Sequence, residues 1–179
     1  MTNEEMNEGL DCYSPETRVF PEIAKKAERG QELSQRDILL ILKWKLTRIK
    51  DKNSKTVSKE KLNDINQAVK KSREVGFEID SLEELDEIPG IGLATATAIL
   101  TVCYPDRFTI IDQRALETLG LSPADTADWT AKQYFNKYLP KVEDCRRGWG
   151  CTLRQADRAL WGLSVSKRVK EIIVKSNQD

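Results

Sequence analysis

The sequence feature that most restricts the fold is the tetrapeptide Pro-Gly-Ile-Gly at positions 89–92, which lies between two segments of helical character. Its two glycines allow the backbone to reverse tightly and to approach a ligand without an intervening Cβ atom. The helix that follows has unpaired amides at its N-terminus, and such amides bind phosphate oxygens. A tight turn between two helices is more often structural than functional, so the tetrapeptide alone leaves its role open.

Helix signals lie on both sides of this turn. Ser81 and Glu84 have the spacing of a capping box and predict a short helix through Glu87. The segment 93–103 is rich in alanine and threonine, and Pro105 ends it. Its small side chains predict that another helix approaches it closely.

The amino-terminal half carries further helix signals. Pro21 suits the first turn of a short helix. Ser34 with Asp37 predicts the start of a buried helix through the apolar run 38–44. Ser58 can cap a third helix that Gly76 ends. The predicted buried face of this third helix comprises Leu62, Ile65, Val69 and Val75.

The carboxy-terminal half also predicts helices. Asp112 is placed to cap a helix that stops at Gly120, and the stretch 108–111 before it is too short for a sheet of its own. Further helices are predicted at about 127–139, 153–161 and 167–175, with a glycine-rich bend at 148–150. The sequence therefore predicts an all-α fold, with a flexible tail over 1–13 and a single domain over 14–179.

Composition excludes several kinds of chemistry. The chain contains no histidine, which removes histidine-based catalytic triads and His-ligated zinc sites. No secretory signal accompanies the four cysteines, so we expect free thiols rather than disulfides, and we expect no cofactor. No apolar run is long enough to cross a membrane, which predicts a cytoplasmic protein with no membrane partner.

Charge is unevenly distributed although the formal net charge is zero. Residues 43–73 contain eleven basic and three acidic side chains, whereas residues 78–87 contain six acidic and no basic ones. The basic segment is consistent with binding to nucleic acid, but a charge run is more often a solvated face.

Beyond its individual signals, the region 81–119 resembles the helix-hairpin-helix (HhH-GPD) DNA glycosylase superfamily, and in particular its endonuclease III-like branch. The resemblance rests on the hairpin at about 81–103, on Pro105, and on the Ile-Ile-Asp sequence that ends at Asp112, twenty residues beyond Gly92. It implies a two-lobed helical bundle, a monomer, and a duplex DNA partner bound in base-excision repair.

The resemblance also implies roles for individual residues. Asp112 would be the catalytic carboxylate of a monofunctional glycosylase that hydrolyses an N-glycosidic bond. A backbone phosphate would be held by the hairpin amides, with Lys45 as a basic neighbour, and the implied phosphate-binding residues are Gly90, Ile91, Gly92, Thr95 and Lys45. The carbonyls of Ile88 and Ile91 would share a monovalent cation. Aromatic residues that could receive a flipped base are Trp44, Tyr104, Trp149 and Trp161, although core packing explains each of them as well.

Two departures from the family pattern narrow the expected activity. Ala94 occupies the position of the Schiff-base lysine, so lyase chemistry of that type is not expected. Only Cys145 and Cys151 lie in the region where an iron-sulfur loop needs four closely spaced cysteines, so no cluster is expected.

Asp112 also has a second explanation, because an aspartate that opens a helix is a routine N-cap. Three hypotheses therefore follow: a monofunctional glycosylase, a non-catalytic hairpin protein that binds DNA in repair or genome defence, and a protein-protein adaptor in which the hairpin is only a turn.

Overall fold

The computed structural model describes residues 19–46, 57–122, 124 and 128–176. The predicted tail over 1–13 lies outside them. All regular structure in the described part is helical, and it contains no strand. The helices are α1 (Phe20–Glu28), α2 (Gln35–Leu46), α3 (Lys59–Lys71), α4 (Glu78–Glu87), α5 (Leu93–Cys103), α6 (Gln113–Thr118), α7 (Ala131–Gln133), α8 (Leu139–Trp149) and α9 (Leu153–Ser176). A π-helical turn over Tyr134–Tyr138 joins α7 to α8. The all-α prediction is confirmed.

Helix α5 forms the centre of the fold. Its residues from Ala96 to Cys103 are all buried, and α1, α2 and α4 pack around it. The predicted boundaries of this helix are confirmed. Its alanine and threonine side chains are short, which lets neighbouring helices approach its backbone, and two of the threonines bond back to the preceding turn.

The first two helices begin as the sequence predicted. Pro21 lies in the first turn of α1, where its missing amide costs no hydrogen bond. At the start of α2, the Asp37 carboxylate accepts a hydrogen bond from the Ser34 amide at 2.9 Å, and the Ser34 hydroxyl accepts one from the Asp37 amide at 3.2 Å. Asp37 also pairs with Lys26 on α1 at 2.7 Å, which ties the two helices together.

Helix α3 is shorter than predicted. Ser58 caps it as expected, accepting a hydrogen bond from the Lys61 amide at 3.2 Å, but the helix ends at Lys71 rather than near Gly76. Val75 is 90% exposed, so its assignment to the buried face was wrong. The reason is that the chain leaves the helix at Ser72, and Val75 follows in the loop, where helical periodicity no longer determines which way a side chain faces.

Helix α4 begins earlier than predicted, at Glu78. Ser81 is buried inside the helix, where its hydroxyl donates a hydrogen bond to the Phe77 carbonyl at 2.7 Å. Glu84 reaches across to Lys71 on α3 instead of back to an N-cap. The predicted capping box of Ser81 and Glu84 was therefore wrong, because both side chains found other partners.

The carboxy-terminal helices are longer than the sequence indicated. A helical stretch runs from Ala131 through the π-helical turn to Trp149, and Gly150 ends it with a φ of 63°. Helix α9 continues over Leu153–Ser176 without the predicted interruption between 161 and 167. It packs against α6 and α8. Among the described residues, no helix is both long and apolar enough to span a membrane.

The stretch 108–111 is buried and lies outside the helices, and no strand among the described residues lies beside it. Two tyrosines from the π-helical turn bond to its backbone instead. The Tyr134 hydroxyl accepts a hydrogen bond from the Thr109 amide at 2.9 Å and donates one to the Thr109 carbonyl at 2.8 Å. The Tyr138 hydroxyl donates one to the Ile110 carbonyl at 2.7 Å.

We expect Tyr134→Phe to destabilise the protein more than Tyr138→Phe does. Losing the Tyr134 hydroxyl leaves a buried amide and a buried carbonyl without their partner, whereas losing the Tyr138 hydroxyl removes the partner of one carbonyl. At about 1 to 3 kcal/mol for each abandoned group, the first change should cost about 2 to 6 kcal/mol and the second about half as much. Urea denaturation of both variants measures this, and equal losses would contradict the structure.

Candidate nucleic-acid interface

The hairpin turn between α4 and α5 combines a buried support with an exposed tip. Ile88 and Ile91 are buried, and the Ile91 amide donates a hydrogen bond to the Ile88 carbonyl at 2.8 Å. Between them, Gly90 has a φ of 77°, a conformation that residues with a side chain rarely adopt. Pro89, Gly90 and Gly92 are exposed. The buried side chains of Ile88 and Ile91 therefore anchor the turn in the core, while its outer surface is exposed to solvent.

Gly92 occupies the N-cap position of α5. A Cβ atom added there would meet nothing within 4 Å, so the space above its backbone is open. Its carbonyl accepts hydrogen bonds from the amides of Thr95 and Ala96, at 2.8 and 2.9 Å. The predicted phosphate-binding amide of Thr95 is thus occupied within the turn. Among the described residues, no acceptor faces the amides of Gly92, Leu93 and Ala94.

A lysine from α3 lies beside the turn. The Lys61 ammonium group donates a hydrogen bond to the Pro89 carbonyl at 2.7 Å, and it lies 3.6 Å from where a Cβ atom on Gly90 would be. In the sequence, Lys61 is one of the eleven basic side chains of the segment 43–73. No sequence signal shows that it meets the hairpin, because that depends on how α3 packs against α4.

Two other basic side chains near the hairpin helices, Lys71 and Arg107, are paired with acidic side chains of α4. Lys71 pairs with Glu84 at 2.5 Å and lies 3.7 Å from Asp80. Arg107 pairs with Glu78 at 2.5 Å. The acidic side chains of α4 are therefore paired with Lys71 and Arg107. Lys61, in contrast, has its ammonium group at the turn itself.

Asp112 lies at the end of the buried stretch 108–111 and caps α6. One carboxylate oxygen accepts a hydrogen bond from the Arg114 amide at 3.0 Å, and the other lies 3.4 Å from the Lys45 ammonium group on α2. The side chains of Lys45 and Asp112 are 14% and 21% exposed. Asp112 therefore serves as an N-cap, as the second explanation predicted, and it also presents part of its surface to solvent.

Two of the candidate base-stacking tryptophans lie under arginine side chains. The Trp44 ring meets Phe20 edge to face at 5.0 Å, and the Arg154 guanidinium lies 5.7 Å from its centre. The Trp161 ring has the Arg114 guanidinium 5.5 Å from its centre. Both tryptophans are partly exposed. Lys45, which contacts Asp112, follows Trp44 in the sequence. Arg114, whose amide donates to Asp112, has its guanidinium over the Trp161 ring.

The other two aromatic candidates lie elsewhere. Tyr104 is buried, and its hydroxyl donates a hydrogen bond to the Val69 carbonyl at 2.8 Å, so it belongs to the core. Burial raises its pKa to about 12. Trp149 is exposed at the end of α8, and no contact between its ring and the residues around Asp112 is seen among the described residues.

The described residues contain no cluster of three or more histidine, cysteine, aspartate or glutamate side chains that could hold a metal ion. Cys103, Cys145 and Cys151 are free thiols, and Cys12 lies outside the described residues. At the hairpin, the Ile88 carbonyl already accepts one hydrogen bond and retains a second lone pair, so a monovalent cation shared with the Ile91 carbonyl is compatible with the turn.

No family model matches this chain, and neither a curated protein nor a solved structure matches it.

We expect Asp112→Asn and Asp112→Ala to differ in stability. Asparagine caps helices about as well as aspartate, so the Asn variant should lose less than about 1 kcal/mol, chiefly from the contact with Lys45. Alanine removes the cap as well and should cost about 1 kcal/mol more. Chemical denaturation of both variants checks this, and an Asn variant as unstable as the Ala variant would show that capping is not what Asp112 contributes to the fold.

Proposed function

We propose that this protein binds duplex DNA through the hairpin over residues 89–94. The observation that supports this proposal most directly is the open space over Gly92, next to three amides with no acceptor among the described residues. A phosphate oxygen needs both: donors that point outwards and no Cβ atom in its path. Lys61 adds a positive charge beside the same turn.

We further propose that the fold is of the two-lobed DNA glycosylase type and that the bound DNA is a substrate. In this proposal, the damaged or mismatched nucleotide leaves the helix and enters the region around Asp112. As the base departs with the electron pair of the N-glycosidic bond, positive charge develops on the sugar, and the Asp112 carboxylate stabilises it. Water then adds to the sugar carbon, the proton it loses is released, and an abasic site remains.

The surroundings of Asp112 support this assignment in two ways. Its carboxylate is held in place by the Arg114 amide and by Lys45, so its position is defined before a substrate arrives. The adjacent partly exposed tryptophans and arginines would suit a base and a phosphate, respectively.

A non-catalytic DNA-binding protein is the second candidate, and one observation favours it. Both carboxylate oxygens of Asp112 already have partners within the protein, one at the helix cap and one at Lys45. These two contacts can account for an aspartate at this position through its structural role alone. The hairpin would then bind DNA without any reaction.

We predict that Gly92→Val weakens DNA binding without unfolding the protein. The φ of Gly92, −98°, suits valine, and a Cβ atom meets no neighbour, but the new side chain would occupy the path of the phosphate. We expect at least a tenfold loss of affinity for a labelled duplex at low salt, and binding by the wild type that falls steeply as salt rises.

Gly148→Ala is the control for this experiment. Gly148 is exposed, and a Cβ atom there also meets nothing within 4 Å, but it lies in α8 and not at the hairpin. This variant should bind DNA like the wild type. If the wild type does not bind DNA at low salt, or if Gly92→Val binds as tightly, the hairpin is a structural turn and the adaptor hypothesis is favoured.

A panel of duplexes, each carrying a different damaged or mismatched base, tests the enzymatic proposal. After incubation, alkali converts abasic sites into strand breaks, which a gel resolves. We expect cleavage of at least one duplex by the wild type and at least a hundredfold slower reaction by Asp112→Asn, which keeps the cap but not the charge. Binding without cleavage of any duplex would favour the non-catalytic candidate.

A further inference from the structure

Residues 88–91 form a type II β-turn. The Ile91 amide donates a hydrogen bond to the Ile88 carbonyl at 2.8 Å, which closes the turn between its first and fourth residues. The proline ring restricts Pro89 to a negative φ, whereas Gly90 has a φ of 77°. A negative φ at the second residue of a turn, followed by a positive φ at the third, is the pattern of type II.

The central peptide of such a turn, here the one between Pro89 and Gly90, has two possible orientations. A type I turn is closed by the same hydrogen bond, and it differs from type II chiefly by a reversal of this peptide. Glycine at the third residue can adopt either conformation. Because the carbonyl and the amide of a trans peptide point in opposite directions, a reversal would exchange the directions of the Pro89 carbonyl and the Gly90 amide. A contact from outside the turn can therefore favour one form.

The ammonium group of Lys61 makes such a contact from α3. It donates a hydrogen bond to the Pro89 carbonyl at 2.7 Å. A charged donor makes a stronger hydrogen bond than a neutral one, and reversal of the peptide would turn the carbonyl away and break this bond. The position of Lys61 is defined because α3 packs against α4 and contributes Ile65 and Val69 to the core. Lys61 therefore stabilises the type II form.

The orientation of the central peptide decides what Gly90 presents to a ligand. With the Pro89 carbonyl directed at Lys61, the Gly90 amide points away from that lysine. Gly90 is exposed, and in the part of the chain that the structure describes no acceptor faces its amide. In the reversed turn a carbonyl oxygen would point in the direction of this amide, and its partial negative charge would repel an anion.

We propose that Lys61 is a positioning residue of the hairpin, which holds the Pro89–Gly90 peptide so that the Gly90 amide is available to a DNA phosphate. This inference rests on the proposed binding of DNA through residues 89–94. It adds the Gly90 amide to the donors at the start of α5. The role is separate from the positive charge that Lys61 brings to the turn, because it acts through the direction of a peptide.

Residual dipolar couplings test the positioning without DNA, because they report the orientation of individual N–H bonds. In the ¹⁵N-labelled full chain, Lys61→Met keeps the length of the side chain and removes the donor. It should change the coupling of Gly90 and leave the couplings of α5 unchanged. Lys61→Arg keeps a charged donor and should retain the wild-type coupling at Gly90. Since Lys61 is partly exposed, we expect both variants to fold.

Lys70→Met is the matched control. It removes one positive charge from the same helix, but Lys70 is exposed near the other end of α3, and among the described residues it makes no hydrogen bond to the hairpin. The Gly90 coupling should equal that of the wild type, and the dissociation constant for DNA should stay within about twofold, because an exposed charge away from the turn contributes little.

Binding of a labelled duplex at low salt then measures the consequence. Lys61→Met should bind about tenfold more weakly, because only the molecules with the correct turn are competent, and Lys61→Arg should recover most of the affinity. Weaker binding with an unchanged Gly90 coupling would show that Lys61 acts by its charge alone and would overturn the proposal. A changed coupling with wild-type affinity would overturn it as well.

Both of those contrary results leave the proposed function intact, because the wild type still binds DNA in them. Absence of binding by the wild type at low salt would instead refute the proposed function, and the role of Lys61 in DNA binding would be refuted with it.

Discussion

The backbone of the buried stretch 108–111 imposes the constraint on which the rest of the structure depends. This stretch lies outside the helices and has no strand beside it in the part of the chain that the structure describes, and a buried amide or carbonyl without a partner costs free energy. Side chains from two parts of the fold supply partners: Thr97 from α5, and Tyr134 and Tyr138 from the π-helical turn. Because these groups come from distant parts of the sequence, the stretch joins the central helix to the carboxy-terminal helices and fixes where Asp112 emerges.

Near the hairpin, basic side chains are paired with acidic side chains of α4, so that an anion would be bound mainly by the backbone amides of the hairpin. The acidic helix α4 is matched by basic residues of the protein itself, with Lys71 held by Glu84 and Arg107 by Glu78. These cations are therefore engaged before any anion arrives. What the turn offers a ligand is a set of amides that have no acceptor among the described residues, together with one lysine, Lys61. Recognition of this type suits a repeated backbone group such as a phosphate rather than the edge of a particular base.

The sequence predicted the features that local chemistry determines. The bounds of α5, the hairpin turn, and the capping roles of Ser58 and Asp112 follow from glycine, proline and short polar side chains, and all of them are confirmed. Features that depend on packing were not predictable. Val75 continues a helical pattern that the chain abandons at Ser72, and Ser81 finds the Phe77 carbonyl inside a longer helix. For Lys61, the sequence offers no signal, because its partner Pro89 lies 28 residues away.

The central claim is that the amides at the start of α5 bind the DNA backbone, and an NMR titration tests it most directly. In spectra of the ¹⁵N-labelled full chain, added duplex DNA should shift the amide resonances of Gly92, Leu93 and Ala94 more than those of α8 and α9, and added salt should reverse the shifts. If those three resonances stay in place while others move, or if none moves at low salt, the hairpin does not bind DNA.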